Sequence, residues 1–255
     1  MKLIDTHTHL YIEDFDQDRY EQIEKAILNG ISEFYLPAID KSYTKKMLSL
    51  KSKYPKNIFL MAGLHPTHVK ENYKKELEHV EKNLDLGGFC AVGEIGIDLY
   101  WDKSNLSNQQ EVFNQQIIWA KEYDLPIVIH CRDAFNEVFD VLENNKSDKL
   151  RGIFHCFTGT FEEAQRAIGF NMKLGIGGVI TFKNGKIDKF IKEIPIESIV
   201  LETDAPYLAP VPYRGKRNES SYLPLIAKKV AECYDVSIEY VSDKTSESAN
   251  LIFKN

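Results

Sequence analysis

Two histidines one residue apart, His7 and His9, follow the apolar run Leu3-Ile4-Asp5. In a strand, successive side chains point to opposite faces, so both imidazoles project to one side and can grip one metal ion. A His-x-His pair arises easily by chance in a chain with seven histidines. Its weight comes from polar residues that close apolar runs further along. Glu94 closes Val92-Gly93, His130 closes Ile127-Val128-Ile129, His155 closes Ile153-Phe154, and Asp204 follows Val200-Leu201-Glu202-Thr203. Singly, each reads as readily as a hydrogen-bonded core residue. Jointly, four histidines and two carboxylates after five different runs can hold two divalent cations, with the two oxygens of Glu94 suited to bridge them. Metals ~3.5–4 Å apart can clamp both oxygens of an in-line phosphoryl displacement, and a metal lowers the pKa of water from ~15.7 to ~7. Only neutral imidazoles bind metal, so acid is expected to empty such a site.

These residues can meet only if their strands share one end. Short β-rich runs recur near Leu3–Asp5, Glu33–Pro37, Ile58–Gly63, Cys90–Gly93, Ile127–His130, Gly152–His155, Met172–Ile176 and Ile199–Leu201. Amphipathic segments at Tyr20–Leu28, Lys45–Lys53, Gln110–Tyr123, Ala134–Leu142 and Glu162–Ile168 lie between them, with Asp133 placed to cap one. Eight strands in β-α alternation over 255 residues predict an α/β fold: a single-domain (β/α)8 TIM barrel over residues 1–255. Helices at Leu223–Cys233 and within Ile238–Phe253 would pad it at the C-terminus. A doubly wound open sheet is the rival, but it has no reason to collect polar residues after so many strands. Gly175-Ile176-Gly177-Gly178 lacks the dinucleotide spacing and reads as a tight turn.

Composition excludes little but is consistent. A formal charge of −6 argues against coating nucleic acid by bulk electrostatics, though not against a local basic patch. Cys90, Cys131, Cys156 and Cys233 are widely spaced and form no Cys-x-x-Cys pair, which suggests reduced thiols in a cytoplasmic protein. No apolar run approaches membrane-spanning length, and no signal-like stretch opens the chain.

Asp5-Thr6-His7-Thr8-His9, Gly63-Leu64-His65-Pro66, Gly93-Glu94-Ile95-Gly96-Ile97-Asp98, Pro126-Ile127-Val128-Ile129-His130-Cys131-Arg132, His155-Cys156-Phe157-Thr158-Gly159 and Glu202-Thr203-Asp204-Ala205-Pro206-Tyr207 resemble the motifs of TatD-family metal-dependent deoxyribonucleases, which have amidohydrolase-like barrels. The resemblance runs from the first strand to the last helix. It implies that His7, His9, Glu94 and Asp204 hold one metal, and Glu94, His130 and His155 the other. Asp204 would then orient the attacking hydroxide and move its proton, and Glu202 would assist catalysis or support a ligand. The expected cofactors are two divalent ions, Mg, Mn or Zn; the histidine-rich donors favour zinc, manganese, iron or nickel, whereas magnesium prefers oxygen and water.

The implied substrate is DNA, single-stranded or at ends, cut exonucleolytically, with no membrane and no obligate protein partner. Arg214, Lys216 and Arg217 pack three cations into four residues after the last strand and read as a phosphate contact or a solvated loop. His65 and Arg132 could also touch phosphate, or His65 could support a ligand. His68 and His79 read as surface residues, and Trp101 as core or as a base-stacking platform. Tyr11 stands where family members often carry an acid or amide, Ser248 where asparagine is common, and Leu251 where arginine is frequent. Hydrolysis of a small amide, ester or phosphotriester is the alternative on the same barrel. A metal-stabilised interaction module is a third and poorer reading, because structural sites are closed and need no second ion.

Overall fold

The computed structural model describes residues 1–254. Its strands are β1 (Leu3–Asp5), β2 (Ile31–Leu36), β3 (Ile58–Ala62), β4 (Ala91–Asp98), β5 (Ile127–Arg132), β6 (Gly152–Phe154), β7 (Met172–Ile176) and β8 (Ile199–Leu201). They pair in sequence order as one eight-stranded sheet, and every ladder is parallel. Closure between β8 and β1 uses loop backbone: Thr6 N–H donates to Leu201 O (3.0 Å) and Asp204 N–H to His7 O (2.9 Å). The result is a nearly closed TIM barrel, the fold that the strand spacing predicts.

Six helices cross over outside the barrel: α1 (Arg19–Leu28), α2 (Thr44–Lys53), α3 (Tyr73–Leu86), α4 (Leu106–Glu122), α5 (Phe135–Asn144) and α6 (Phe161–Gly169). Their apolar stripes face the sheet. In α4, Phe113 and Ile117 are fully buried, each burial contributing roughly 1.5–3 kcal/mol. Strict β-α alternation fails once: four short 3-10 turns, and no α-helix, connect β7 to β8. Helix α3 was not anticipated, because Leu77, Val80 and Leu84 form a narrow apolar stripe in a highly charged segment. Asp133 does not cap α5; it lies at φ +54° and Ala134 occupies the cap position.

The last helices, α7 (Leu223–Tyr234) and α8 (Ile238–Phe253), finish the chain. One apolar cluster joins Ile4, Tyr35, Met61, Val128, Ile153 and Val200 from six strands with Ala249, Ile252 and Phe253 of α8. Side chains from so many strands meet only inside a barrel, so α8 closes the lumen, and Phe253 stacks on Tyr35 at 4.0 Å between ring centroids. The Ser248 hydroxyl donates to Glu197 O (2.9 Å), while Leu251 is exposed. No helix among the described residues is long and apolar enough to cross a membrane.

Glu94 is not at the end of β4, as the sequence suggests, but inside it. Gly93 pairs with Val128 and Ile95 with Ile129, leaving Glu94 as the extra residue of a bulge. Bulges re-aim side chains, and this one is pinned to β2's exit by Ala38 N–H donating to Gly93 O (2.9 Å) and Glu94 N–H to Ala38 O (3.1 Å). Two residues on, Gly96 has φ +140°, and a Cβ there would collide with the carbonyl oxygen of His130. Gly96 therefore lets β5 approach closely enough to present His130 beside Glu94. Gly96→Ala is expected to lose at least ~1–3 kcal/mol of stability from backbone strain alone, read as a lower urea midpoint. An unchanged midpoint would show that the close approach is not required.

Candidate metal centre

His7, His9, Glu94, His130, His155 and Asp204 converge at the rim formed by the strands' C-terminal ends. Glu94 divides its two oxygens between two sets of nitrogens. Oε2 lies 3.2 Å from His7 Nε2 and 3.8 Å from His9 Nε2. Oε1 lies 2.8 Å from His130 Nδ1 and 3.8 Å from His155 Nε2. Asp204 Oδ1 closes the first set, 3.5 Å from His9 Nε2 and 3.8 Å from both His7 Nε2 and His155 Nε2. The His7 and His9 Nε2 atoms are 3.2 Å apart, and the His7 and His155 rings stack at 3.4 Å. Donors bound at ~2.1 Å to one ion stand about 3–3.5 Å apart, so these spacings suit coordination.

Counting ring protons shows which nitrogens are free. Tyr11 gives its hydroxyl proton to Pro37 O (2.6 Å), so toward His9 Nδ1 (2.8 Å) it can only accept. The His9 proton therefore sits on Nδ1, leaving the Nε2 lone pair aimed at Glu94 and Asp204. Tyr11 thus fixes the His9 ring through a neutral hydroxyl. Both nitrogens of His130 face carboxylates: Nε2 is 2.8 Å from Asp98 Oδ2 and Nδ1 is 2.8 Å from Glu94 Oε1. A neutral imidazole has one proton, so the second contact needs another cation, a proton or a metal ion. His65 is the opposite case. Thr67 N–H donates to its Nδ1 (3.2 Å), which leaves the proton on Nε2, directed at Glu94 Oε1 (3.4 Å) and His130 Nδ1 (3.3 Å). Burial holds the His65 pKa down at about 4, so near neutrality the ring is uncharged, with its Nε2–H able to donate a hydrogen bond.

Charge balance points the same way. Glu94, Asp98, Glu202 and Asp204 are buried, and among the described residues no lysine or arginine nitrogen comes within 4.0 Å of any of them. Burial raises the pKa of Glu94, but His65, His7, His155 and His130 outweigh it and hold the carboxyl well below its usual range. Asp204 is likewise raised by burial and lowered further by His155, His9 and His7. Burial would lower His155, yet Glu202, Asp204 and Glu94 push it up to about 10. A site so rich in buried anions and imidazoles, with no basic side chain, fits divalent cations.

Several residues fall elsewhere than expected. Glu202 is fully buried behind His155. Its Oε1 accepts from Cys156 N–H (2.6 Å) and lies 2.9 Å from His155 Nδ1, an ion-pair distance off the line of the ring N–H. Glu202 thus backs the Nδ1 side of His155, while His155 Nε2 faces Glu94 and Asp204. Arg217 is committed to Asp18 (2.5 and 2.8 Å) and to Asp14 O (2.7 Å), tying the mouth loop to the start of α1, so it is not a free phosphate contact. Arg214 is exposed over the Phe182 ring, and Lys216 is exposed. Arg132 is exposed at the end of β5, two residues past His130. His68 and His79 are half-buried, His68 Nδ1 meeting Asp40 Oδ2 (2.7 Å) and His79 Nε2 meeting Thr44 Oγ1 (2.9 Å). Trp101 is 69 % exposed and so no part of the core.

Other supports escaped the sequence reading. Asp5 accepts from Thr203 N–H (2.9 Å) and from the Thr203 hydroxyl (2.7 Å), stitching β1 to the loop that bears Asp204. Asp204 itself lies at φ +56°, a region that aspartate tolerates better than most residues. On α4, buried Gln116 and Gln109 each clamp a rim loop, through Leu64 N–H (2.7 Å) and Asp98 N–H (2.8 Å). Asp5 and Asp98 both lie inside motifs visible in sequence, but nothing there marks them as supports and not ligands.

The chain resembles known proteins along its whole length. The sequence profile described as "TatD related DNase" matches residues 4–254. The metal-dependent hydrolase YabD of Bacillus subtilis (strain 168) is 37 % identical over 253 residues, covering 99 % of both chains. A protein of Rahnella sp. (strain Y9602) named 3'-5' ssDNA/RNA exonuclease TatD is 30 % identical over 246 residues, covering 94 % of this chain and 93 % of its own. The crystal structure of YJJV, a TatD homologue from Escherichia coli K12, superposes with a TM-score of 0.93 at 26 % identity, covering 99 % of this chain and 98 % of that one.

The proton count at His9 is directly testable. Tyr11→Phe should keep the fold but weaken divalent-metal binding ~10-fold or more, measured by competition with a fluorescent chelator. In the metal-free variant, the nitrogen shifts of His9 should lose their single-tautomer pattern. Unaltered affinity and shifts would mean that Tyr11 does not set the ring.

Proposed function

This chain belongs to the TatD-related DNase family of metal-dependent hydrolases, and on that footing we propose that it cleaves phosphodiester bonds at single-stranded nucleic-acid ends, DNA first among them. The observation that carries the reading is the division of Glu94, with one oxygen toward His7 and His9 and the other toward His130 and His155. His7, His9, Glu94 and Asp204 would hold one divalent ion, and Glu94, His130 and His155 a second. When bound, such ions supply Lewis acidity to phosphoryl oxygens and make water acidic enough to attack near neutral pH.

The chain's own groups then have separate tasks. Asp204, held ionised by three imidazoles, takes the proton of the attacking water as the new P–O bond forms; the sugar oxygen leaves with the electron pair of the broken P–O bond and is protonated in turn by Asp204, which regains its charge. His65 Nε2–H donates to a non-bridging phosphate oxygen, the role its protonation pattern permits. Arg132 is the exposed cation nearest His130 in sequence, suited to a flanking phosphate. Glu202, Asp98 and Tyr11 orient His155, His130 and His9. The name of the Rahnella relative supports a 3' to 5' direction and a single-stranded substrate.

The test is hydrolysis of end-labelled single strands before chelation, after it, and after manganese or magnesium is restored. Activity should vanish and return, and a 3'-blocked strand should resist. Glu94→Ala is expected to lower kcat/KM at least ~1,000-fold, about 4 kcal/mol of transition-state stabilisation. Asp204→Asn should cost ~100- to 10,000-fold in kcat with the fold intact, as befits loss of a general base. Near-wild-type turnover in either variant contradicts the mechanism. Hydrolysis of neutral esters or amides, with none of nucleic acid, would favour the small-molecule alternative.

A further inference from the structure

We propose that Tyr100 and Trp101, with the guanidinium of Arg132, form a subsite that stacks the nucleobase beside the scissile phosphate; this rests on the phosphodiesterase reading above. Both rings are exposed, Trp101 by 69 % and Tyr100 by 54 %, and they meet edge to face at 5.0 Å. Arg132 lies 3.9 Å from the Tyr100 ring centroid and 5.8 Å from that of Trp101. Scattered exposed aromatics need no explanation. This pair differs in how it is held.

One carboxylate connects the platform to the proposed metal ligands. Asp98 Oδ1 accepts from the backbone N–H of Tyr100 (3.0 Å) and of Trp101 (2.9 Å), while its Oδ2 meets His130 Nε2 (2.8 Å). From the other side, buried Gln109 accepts from Asp98 N–H (2.8 Å) and donates to the carbonyls of Asp98 and Asp102 (both 3.2 Å). The loop is thus fixed relative to His130, and its aromatic faces are presented at a set distance from the reacting centre. A fixed π-surface stacks any base without reading sequence, which suits a substrate that changes its terminal base at every cut. Arg132 adds the local positive charge that a chain of net charge −6 must supply if it is to meet a polyanion. A planar base flanked by phosphates fills both demands. A neutral ester uses neither.

The experiment compares a short oligothymidylate with a strand of equal length whose terminal nucleotides are abasic, so that phosphates are kept and bases removed. Metal-loaded wild-type protein should cleave the base-bearing end with a kcat/KM about 5- to 100-fold higher, equivalent to ~1–3 kcal/mol of stacking at 1.4 kcal/mol per tenfold. Trp101→Ala should collapse that ratio toward one, and Trp101→Phe should retain most of it. Binding can be followed independently of turnover, because the chain's other tryptophan, Trp119, is only 6 % exposed. Oligothymidylate should quench the Trp101 emission and the abasic strand should not. A wild-type protein that cleaves both ends equally, or a Trp101→Ala variant that keeps the preference, overturns the subsite while leaving the phosphodiesterase reading intact. Quenching by the base-bearing strand alone, in a protein that cleaves neither, supports the subsite and sinks the hydrolytic reading.

Discussion

A carboxylate removed from water stays ionised only if positive charge comes to it, and Glu94, 2 % exposed, depends on that condition. Its neighbours are imidazoles and further acids, with no lysine or arginine among the described residues to neutralise it. Protons can fill part of the deficit, as the upward shift of His155 to about 10 indicates. A divalent cation on each side of the carboxylate would answer it more fully. Metal would then compete with protons for the same donor atoms, so the ring proton on each histidine matters to binding.

Much of the surrounding architecture can be understood as holding that one side chain and its partners in place. The β4 bulge turns Glu94 inward, the missing side chain of Gly96 brings β5 alongside, and the Asp5–Thr203 pair anchors the Asp204 loop where the barrel closes. Three of the rim histidines are backed by other side chains: a phenol for His9, and carboxylates for His130 and His155. Residues that back a ligand fix its orientation and basicity without touching substrate. Buried glutamines on α4 do the equivalent for two rim loops, so substrate-facing groups inherit the rigidity of the helix layer.

The strands that bring these side chains to the rim were legible because each is a short apolar run closed by a polar residue, a pattern that survives without knowledge of contacts. His7, His9, Glu94, His130, His155 and Asp204 could be picked out for that reason. What stayed hidden depends on partners far away in sequence. Arg217 looked like a free cation until Asp18 was seen to hold it, almost two hundred residues earlier. Glu202 reads in the sequence either as a catalytic acid or as a support, and only the burial of its carboxylate behind His155 favours support. Position inside an element was equally opaque: Glu94 reads as a strand terminus because a bulge leaves no mark in composition. Helix α3 was missed because charge dominates its sequence and its buried stripe is thin.

Glu94 is proposed to stand between two cations. Anomalous diffraction from manganese-loaded crystals tests it most directly. Two manganese peaks ~3.5–4 Å apart, one beside His7 and His9 and the other beside His130 and His155, are the result this account predicts. A single peak, or a pair in which Glu94 touches only one ion, would contradict it.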